Sequence, residues 1–401
     1  MDEQLYCEAM TDNAYTKQPN DFTQNIGNGS YSTADSYVKQ VWDGRYTGIR
    51  MCNQLLENID RVPDLDPELK KRYIGEAKVL RAYSYYELYT KFGDIPYTTK
   101  VLSIKESMSI ARTAKATVIA NVLADLDEVI NGNYLPTSYD ADNKGRITRW
   151  AAMAIKAKIY LFEGNWTQVK NITSTIMTEG GFKLFGSYAG LFEIANEYNS
   201  EVILDAQYRP TSREHQMMYV FLPPTLGGYS QLSPLQELVD SYIMLDGKTI
   251  KETGTSFDES HPYANRDPRL KATVMYTGNS YTLADGTEVV INCEKGEGKD
   301  GYGVGSDCSA TGYYIKKYWD NTYRATLYSG LNPILIRYAD ILLMNAEALA
   351  ELGELDKTAW DATIKPIRDR AGFTLASALE FPEGASKDKL IEIVRNERRS
   401  E

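Results

Sequence analysis

Apolar residues recur at helical spacing in two parts of the chain, and the segment between these parts lacks that spacing. The clearest helix is predicted with Asp66 as its N-cap and Pro67 in its first turn. A backbone N–H in the first turn has no partner within the helix, so the N–H that proline lacks is not missed there. Gly93 and Pro96 are expected to end it. Its apolar and aromatic positions, with one serine among them, step by three or four residues: Tyr73, Ala77, Leu80, Ser84 and Leu88.

Further helices follow from the same signals, and neighbouring helices form hairpins. Two turns share an Ala-x6-Gly pattern, one at Ala157–Gly164 and the other at Ala346–Gly353. This pattern is typical of tetratricopeptide-like hairpins, in which small residues allow close packing and glycine allows the sharp turn. The additional predicted helices lie at 35–60, 113–131, 148–163, 166–178, 332–352 and 356–370.

The segment 181–331 is rich in Gly, Pro, Ser and Tyr and shows only short strand-like runs and one short helix. A stretch of this length without regular helices is usually functional. The predicted fold class is therefore mainly α, with a tetratricopeptide-like helical-hairpin scaffold at 35–180 and 332–401. A loop-rich excursion with short strands interrupts the scaffold at 181–331, and the whole chain 1–401 is expected to form one domain.

Charge and composition exclude several classes of function. The 401 residues carry 44 Lys and Arg against 55 Asp and Glu, which gives 44 − 55 = −11 and a pI near 5.0. Nucleic-acid binding requires a basic surface, so we expect no nucleic-acid partner. The two histidines, His215 and His261, lie far apart in sequence, which disfavours hydrolase triads and histidine metal sites. Thirty tyrosines are the outlier in composition, and they suit both helix packing and flat polar ligands.

The four cysteines form no C-x-x-C motif, so zinc and redox motifs are absent. Cys293 and Cys308 flank a glycine-rich segment, and two alternatives remain open for them. They form a disulfide in an oxidising compartment, where closing a loop of this size contributes about 3 kcal/mol, or they are two buried thiols.

Two motif-like strings fail on inspection. Gly296–Gly301 fits G-x-G-x-x-G, but the glycines that follow cannot start the helix a dinucleotide site needs, so a surface loop is expected. The run that begins at Asp140 resembles a calcium loop, but Lys144 and Ala151 occupy two ligand positions. A turn before a helix is the better interpretation. Neither a cofactor nor a metal is predicted, and no enzyme motif is found.

One predicted helix carries polar residues among apolar ones. They are predicted to form a buried polar network that fixes the helix, with contact to a ligand as the alternative. Arg337 and Asp340, three residues apart, are expected to pair. The other polar members are Asn345 and Glu347.

Seven blocks of the sequence resemble the SusD/RagB family of outer-membrane nutrient-binding lipoproteins of Bacteroidetes. The most specific is Glu76–Pro96, which includes Lys-Phe-Gly-Asp-Ile-Pro at 91–96. The other blocks, in family order, are Arg149–Trp166, Pro234–Gly247, Arg266–Leu270, Asn332–Ala348, Ile367–Gly372 and Asn396–Glu401.

This resemblance implies a SusD-like fold and a cell-surface lipoprotein of the outer membrane. Such a protein captures an oligosaccharide or polysaccharide and delivers it to a SusC-type TonB-dependent transporter, and it is not an enzyme. The helical hairpins are expected to face the transporter and the irregular segments to hold the ligand. The lipid-anchor cysteine of the family is not found in this sequence, and the chain is expected to be truncated at its C-terminus and at its N-terminus.

The matched blocks belong to the scaffold, so the ligand residues are predicted from chemistry alone. Sugars are bound by aromatic faces beside planar polar side chains on loops. Three segments have this composition: 12–31, 215–229 and 319–324. Their predicted ligand-binding residues are Asp12, Tyr15, Tyr31, Tyr229, Trp319, Asn321, Tyr323 and Arg324. For the last segment, the alternative is that its aromatic side chains pack inward.

Three alternatives to glycan capture remain. The first is peptide capture by a member of the same family. The second is a tetratricopeptide scaffold that binds a partner protein in its groove and does not use the irregular segment. The third is a glycan hydrolase, which the scarcity of histidine and the absent motifs disfavour.

Overall fold

The structure is a computed structural model that describes residues 6–17, 22–323 and 326–401. The chain divides into two compact units. The helical unit comprises residues 32–181, and the mixed unit comprises residues 1–31 and 182–401. The expectation of one domain, with hairpins at 35–180 and 332–401, stays a prediction.

The helical unit consists of antiparallel helices, and those that the sequence predicts here are confirmed. Asp66 caps its helix as expected, since its carboxylate accepts a hydrogen bond from the Leu69 N–H at 2.8 Å. A buried polar contact joins three of the helices, because Arg81 donates to Asp125 at 2.6 Å and to Asn53 at 2.8 Å. The helices are Ser36–Asn58, Pro67–Phe92, Ile104–Ser109, Lys115–Asn131, Arg149–Phe162 and Trp166–Glu179.

In its described residues, the mixed unit combines helices with four antiparallel two-stranded sheets. Its helices are Phe22–Gly27, Met217–Phe221, Gln236–Ser241, Pro268–Thr273, Tyr338–Leu352, Lys357–Ala371, Ala376–Leu379 and Lys387–Ser400. Ala14–Thr16 pairs with Leu232–Pro234, Val202–Asp205 with Ile334–Arg337, Val274–Met275 with Tyr314–Ile315, and Ser280–Thr282 with Glu288–Val290.

The prediction that Asn332 and Pro333 begin a helix is wrong. A strand, Ile334–Arg337, follows them, and the helix begins at Tyr338. The strand pairs with Val202–Asp205, more than 100 residues earlier in the chain. An Asn-Pro start is a local signal, and here the distant pairing overrides it.

A buried ion network lies in the mixed unit. It includes Arg337, whereas Glu347, another member of the predicted polar network, binds Arg395 and Arg398. Arg337 does not pair with Asp340 as expected. Its guanidinium donates to Glu201 at 2.8 Å and to Glu401 at 2.7 Å, whereas Asp340 accepts the Arg337 backbone N–H. The network comprises four guanidinium and four carboxylate groups: Arg269, Arg337, Arg368, Arg370, Glu201, Asp267, Glu397 and Glu401.

Charges balance within this network, which is what makes its burial tolerable. Burial alone would raise the pKa of Glu401, but Arg337, Arg269 and Arg370 hold that pKa below its usual value. The pKa of Glu397 is lowered in the same way by Arg269 and Arg368 against the effect of burial. Both carboxylates are therefore ionised at neutral pH.

Of the two alternatives for Cys293 and Cys308, the structure has the buried thiols. The two residues form no disulfide with each other, and both are buried. Burial raises the pKa of the Cys293 thiol to about 12.

The predicted turn at Asp140 is confirmed, since its carboxylate accepts the Asn143 N–H at 3.0 Å. Within the described residues, no helix is both long and apolar enough to cross a membrane.

Candidate ligand-binding site

Three tyrosines of the mixed unit form a tyrosine surface: Tyr219, Tyr229 and Tyr328. The ring centroids of Tyr219 and Tyr229 lie 4.2 Å apart with the planes tilted by 40°. Tyr229 is 39% exposed and Tyr328 is 42% exposed, while Tyr219 is half-buried. Rings of this kind that are partly open to solvent offer flat apolar faces with a polar phenol at the rim.

The loop that carries Tyr229 is held in one conformation. Gly227 has φ +87°, and a Cβ on Gly228 would collide with the carbonyl of Leu222. Ser230, on the other side of Tyr229, is fully buried with φ 43°. The Tyr229 N–H also donates to the Tyr219 carbonyl at 2.9 Å. The ring is thus presented before any ligand arrives, which reduces the entropy lost on binding.

The loop that carries Tyr328 is anchored on both sides of the exposed ring. Leu327 is buried in the apolar core of the mixed unit and has φ 55°. Ser329 is fully buried and exchanges two backbone hydrogen bonds with His215, at 2.9 and 3.0 Å. Its hydroxyl also donates to the Asp320 carboxylate. The two tyrosine loops lie close together, since a Cβ added to Gly227 would be 3.6 Å from Leu327 Cδ1.

Two charged residues lie at the edge of the tyrosine surface. The pKa of Tyr219 is raised to about 12, first by its hydrogen bond to Tyr229 and then by burial and by the charge of the Tyr229 phenol. Asp307 and Tyr328 contribute to the same increase. The Lys17 ammonium donates to the Cys308 carbonyl at 3.0 Å. Burial lowers the pKa of Lys17, and Asp307 opposes that effect. Asp307 directly precedes Cys308, so the Lys17 hydrogen bond places it beside Lys17. Its charge acts on Tyr219 as well.

Behind the Tyr328 loop lie three carboxylates, Glu197, Asp205 and Asp320, for which no salt bridge is found among the described residues. Glu197 accepts the Asn332 N–H at 2.6 Å. Burial raises the pKa of Glu197, with further increases from Asp205 and Asp320. Burial likewise raises the pKa of Asp205 to about 6, against a hydrogen bond from Gln207.

These shifts predict that the mixed unit becomes more stable as the pH falls towards 5. Asp205 has an unfolded pKa of about 3.9, below its folded value, so the folded state binds the proton more tightly. Above about pH 6, ionised Asp205 destabilises the folded state by its full amount. This destabilisation disappears as the pH falls from about 6 to about 4. Between pH 7 and pH 5 the free energy of unfolding should gain roughly 1 kcal/mol from this group.

Urea unfolding of the wild type and of Asp205→Asn, each at pH 7 and at pH 5, checks this prediction. The amide carries no charge, so the variant should lose the gain that the wild type shows. An equal pH response in both proteins would contradict it.

The predicted ligand residues lie at several places in the mixed unit. Tyr229 belongs to the tyrosine surface. Asp12 pairs with Arg399 at 3.1 Å. Tyr15 lies opposite Ser233 in the first sheet, and both Tyr15 and Tyr31 are exposed.

The predicted segment 319–324 is only partly described. Trp319 packs against Tyr281 with ring centroids 5.4 Å apart, and its indole N–H donates to the Thr282 carbonyl at 2.9 Å. Asn321 begins a short 3-10 helix, Asn321–Tyr323. The Tyr323 side chain and Arg324 lie outside the described residues.

Sequence reasoning did not single out Tyr219, Tyr328, Asp307 or Lys17. One signal was available, because Tyr229 and Tyr328 are both followed by serine and each lies next to or near glycine. A ring beside residues that favour tight turns is a residue on a sharply bent loop.

The mixed unit also contains a cavity of about 500 Å³. Apolar side chains such as Phe192 and Phe221 line it together with the charged Lys317, Arg337 and Glu401. Arg337 and Glu401 already bind each other in the buried ion network. The tyrosine surface, whose rings are exposed, is therefore the stronger candidate.

In the described part of the chain, no group of three or more His, Cys, Asp or Glu could hold a metal ion.

Family comparisons cover most of the chain. A model described as "SusD family" matches residues 191–401, and one described as "Starch-binding associating with outer membrane" matches residues 1–161. SusD-like protein P25 of Formosa agariphila is 32% identical over 166 residues, which are 41% of this chain and 31% of P25. SusD-like protein P38 of the same organism is 24% identical over 410 residues, 96% of this chain and 74% of P38.

Solved structures give the same result for the fold. A SusD-like carbohydrate binding protein from Bacteroides fragilis has a TM-score of 0.86 and 27% identity, covering 98% of this chain and 76% of that protein. Another SusD-like protein from the same species has a TM-score of 0.84 and 26% identity, covering 100% of this chain and 80% of its own. The predicted mainly α, tetratricopeptide-like fold with an irregular segment is confirmed.

Proposed function

This chain belongs to the SusD family, and from that premise we propose that it binds a glycan at the tyrosine surface. A role in glycan binding is supported by the family and by the structural similarity to the SusD-like carbohydrate binding protein from Bacteroides fragilis. The observation that carries the finer proposal is a pair of exposed tyrosines, Tyr229 and Tyr328, on loops whose flanking residues are buried.

Chemistry supports a sugar as the occupant of this surface. A pyranose has a flat face of C–H groups and a rim of hydroxyls, which matches a phenol ring with its own hydroxyl at the edge. Fixed loops add affinity, because a preformed site has little conformational entropy to lose. Acceptors and donors are present beside the rings in Asp307 and in the phenols themselves.

We further propose that the protein binds the glycan and delivers it, and that it does not act as an enzyme. The family is associated with the outer membrane in general, and we propose that the full-length protein is a lipoprotein at the cell surface. Its partner would be a SusC-type TonB-dependent transporter that takes over the glycan. Peptide capture is the runner-up, and the experiment below distinguishes the two.

Replacing Tyr229 with alanine is expected to weaken glycan binding about tenfold or more, since one stacked ring and its desolvated area are lost. Affinity electrophoresis against a panel of soluble polysaccharides first identifies the glycan that retards the wild type. The same gels, run at several glycan concentrations, then give dissociation constants for the variants.

Phe162→Ala is the matched control, because it removes an exposed ring from the helical unit. It should bind as the wild type does. Tyr328→Ala should behave like Tyr229→Ala. If no polysaccharide retards the wild type, glycan binding is wrong and peptide capture moves ahead. If a glycan binds and Tyr229→Ala leaves the affinity unchanged, the site lies elsewhere.

A further inference from the structure

The glycine-rich loop, residues 294–307, is tied to the turn that precedes Tyr229. Asp300 on this loop is buried, only 5% exposed. Its carboxylate accepts two hydrogen bonds from Thr225, one from the backbone N–H at 2.8 Å and one from the hydroxyl at 2.5 Å. Thr225 lies in the short helix Pro224–Leu226, directly before Gly227. One carboxylate thus joins the two loops.

The backbone around Asp300 is also fixed. The Asp300 carbonyl accepts the Tyr314 hydroxyl at 2.5 Å. Next to it, Gly301 leaves no space for a side chain, because a Cβ there would collide with the carbonyls of Glu294 and Glu297. The loop is therefore folded tightly against the mixed unit at its centre.

The far end of the loop reaches the edge of the tyrosine surface. The Lys17 ammonium binds the Cys308 carbonyl, and the Cys308 thiol donates to the Lys299 carbonyl at 3.3 Å. These contacts hold the residue before Cys308, the exposed Asp307, near Lys17, and the charge of Asp307 acts on Tyr219. The Asp307 carboxylate accepts one hydrogen bond, from the Ser306 hydroxyl at 3.3 Å, and is otherwise open to solvent.

We propose that the glycine-rich loop forms one wall of the glycan site, that Asp300 is the positioning residue that holds it there, and that Asp307 accepts hydrogen bonds from sugar hydroxyls. This inference rests on the proposed function. A carboxylate offers about four acceptor positions, so Asp307 can bind two neighbouring hydroxyls of one sugar. The glycine-rich loop would then select for hydroxyl arrangement, while the tyrosines bind the ring faces.

Glycan affinity of Asp307→Asn and Asp300→Ala is the first test, measured on the polysaccharide that binds the wild type. Asp307→Asn should weaken binding about tenfold, the effect of losing a hydrogen bond to a charged group. Asp300→Ala should weaken binding to a similar extent, because the loop is no longer held by Thr225. Asp300→Asn should recover part of the loss, since an amide oxygen still accepts the Thr225 N–H. Asp285→Asn is the matched control, because Asp285 lies in an exposed turn between two strands and should bind as the wild type does.

Protection from trypsin by bound glycan is the second test. A loop with a purely structural role would be cleaved at the same rate with and without glycan. Lys295 and Lys299 lie on the exposed part of the glycine-rich loop. Saturating glycan should slow cleavage at these lysines severalfold in the wild type, because the bound sugar covers the loop. Asp300→Ala should be cleaved faster without glycan and should lose the protection.

The outcomes separate this inference from the proposed function. If Tyr229→Ala weakens binding but Asp307→Asn, Thr225→Val and Asp300→Ala bind normally, the loop inference is overturned and the tyrosine surface stands. If glycan binds and does not protect the lysines, the loop is likewise not a wall of the site. If Tyr229→Ala and Asp307→Asn both bind normally, both proposals fail. Thr225→Val and Asp307→Asn keep the test decisive even if Asp300→Ala does not fold.

Discussion

Replacing Arg269 with methionine is expected to lower the free energy of unfolding by about 3–5 kcal/mol, the consequence of breaking a buried ion pair from one side. Arg269 is 1% exposed and binds Asp267, Glu397 and Glu401 at 2.7–2.8 Å. Methionine fills similar space but leaves three buried carboxylates without this partner. Urea unfolding followed by circular dichroism measures the change.

Arg395→Met is the matched control. The Arg395 side chain is 55% exposed and binds Glu347 and Glu351, so its loss should change stability by no more than about 1 kcal/mol. If the two variants unfold at the same urea concentration, the buried ion network does not stabilise the fold in the way that its burial implies.

Replacing Gly228 with alanine is expected to lower both stability and glycan affinity. The new Cβ would collide with the Leu222 carbonyl, which is backbone and cannot turn aside. The loop must shift, at a cost of about 1–3 kcal/mol for overpacking, and Tyr229 shifts with it. We expect a lower Tm by thermal unfolding and weaker retardation by affinity electrophoresis.

Gly186→Ala provides the comparison within the same unit, since nothing lies within 4 Å of its Cβ position. It should unfold and bind as the wild type does. A Gly228→Ala protein with normal glycan affinity would show that the conformation of the Tyr229 loop does not affect binding. It would contradict the claim that the fixed loop adds to affinity.

Sequence reasoning was accurate where the determining interactions are local. The helix that begins at Pro67 shows its cap, its period and its stop within one stretch, and the structure has it at Pro67–Phe92. The start proposed at Asn332 was wrong because the partner strand, Val202–Asp205, is distant in sequence. No local pattern contains that pairing.

The candidate site could be predicted less well, and for a physical reason. The composition of segment 319–324 predicts Trp319 as a ligand residue, but whether its ring faces solvent depends on Tyr281 and Thr282, which lie almost 40 residues earlier. Tyr328 was not singled out, because its exposure results from the burial of Leu327 and Ser329 on either side. Thirty tyrosines look alike in a sequence until their neighbours are placed in space.

The arrangement of the tyrosine loops has a consequence for how this protein can diversify. At each loop the residues that hold the backbone, such as Ser230 and Ser329, are buried, and the ring between them projects outward. Exchanging Tyr229 or Tyr328 for another aromatic or polar residue leaves those anchors untouched. If the rings bind the ligand as proposed, single substitutions there change which ligand is preferred with little loss of stability.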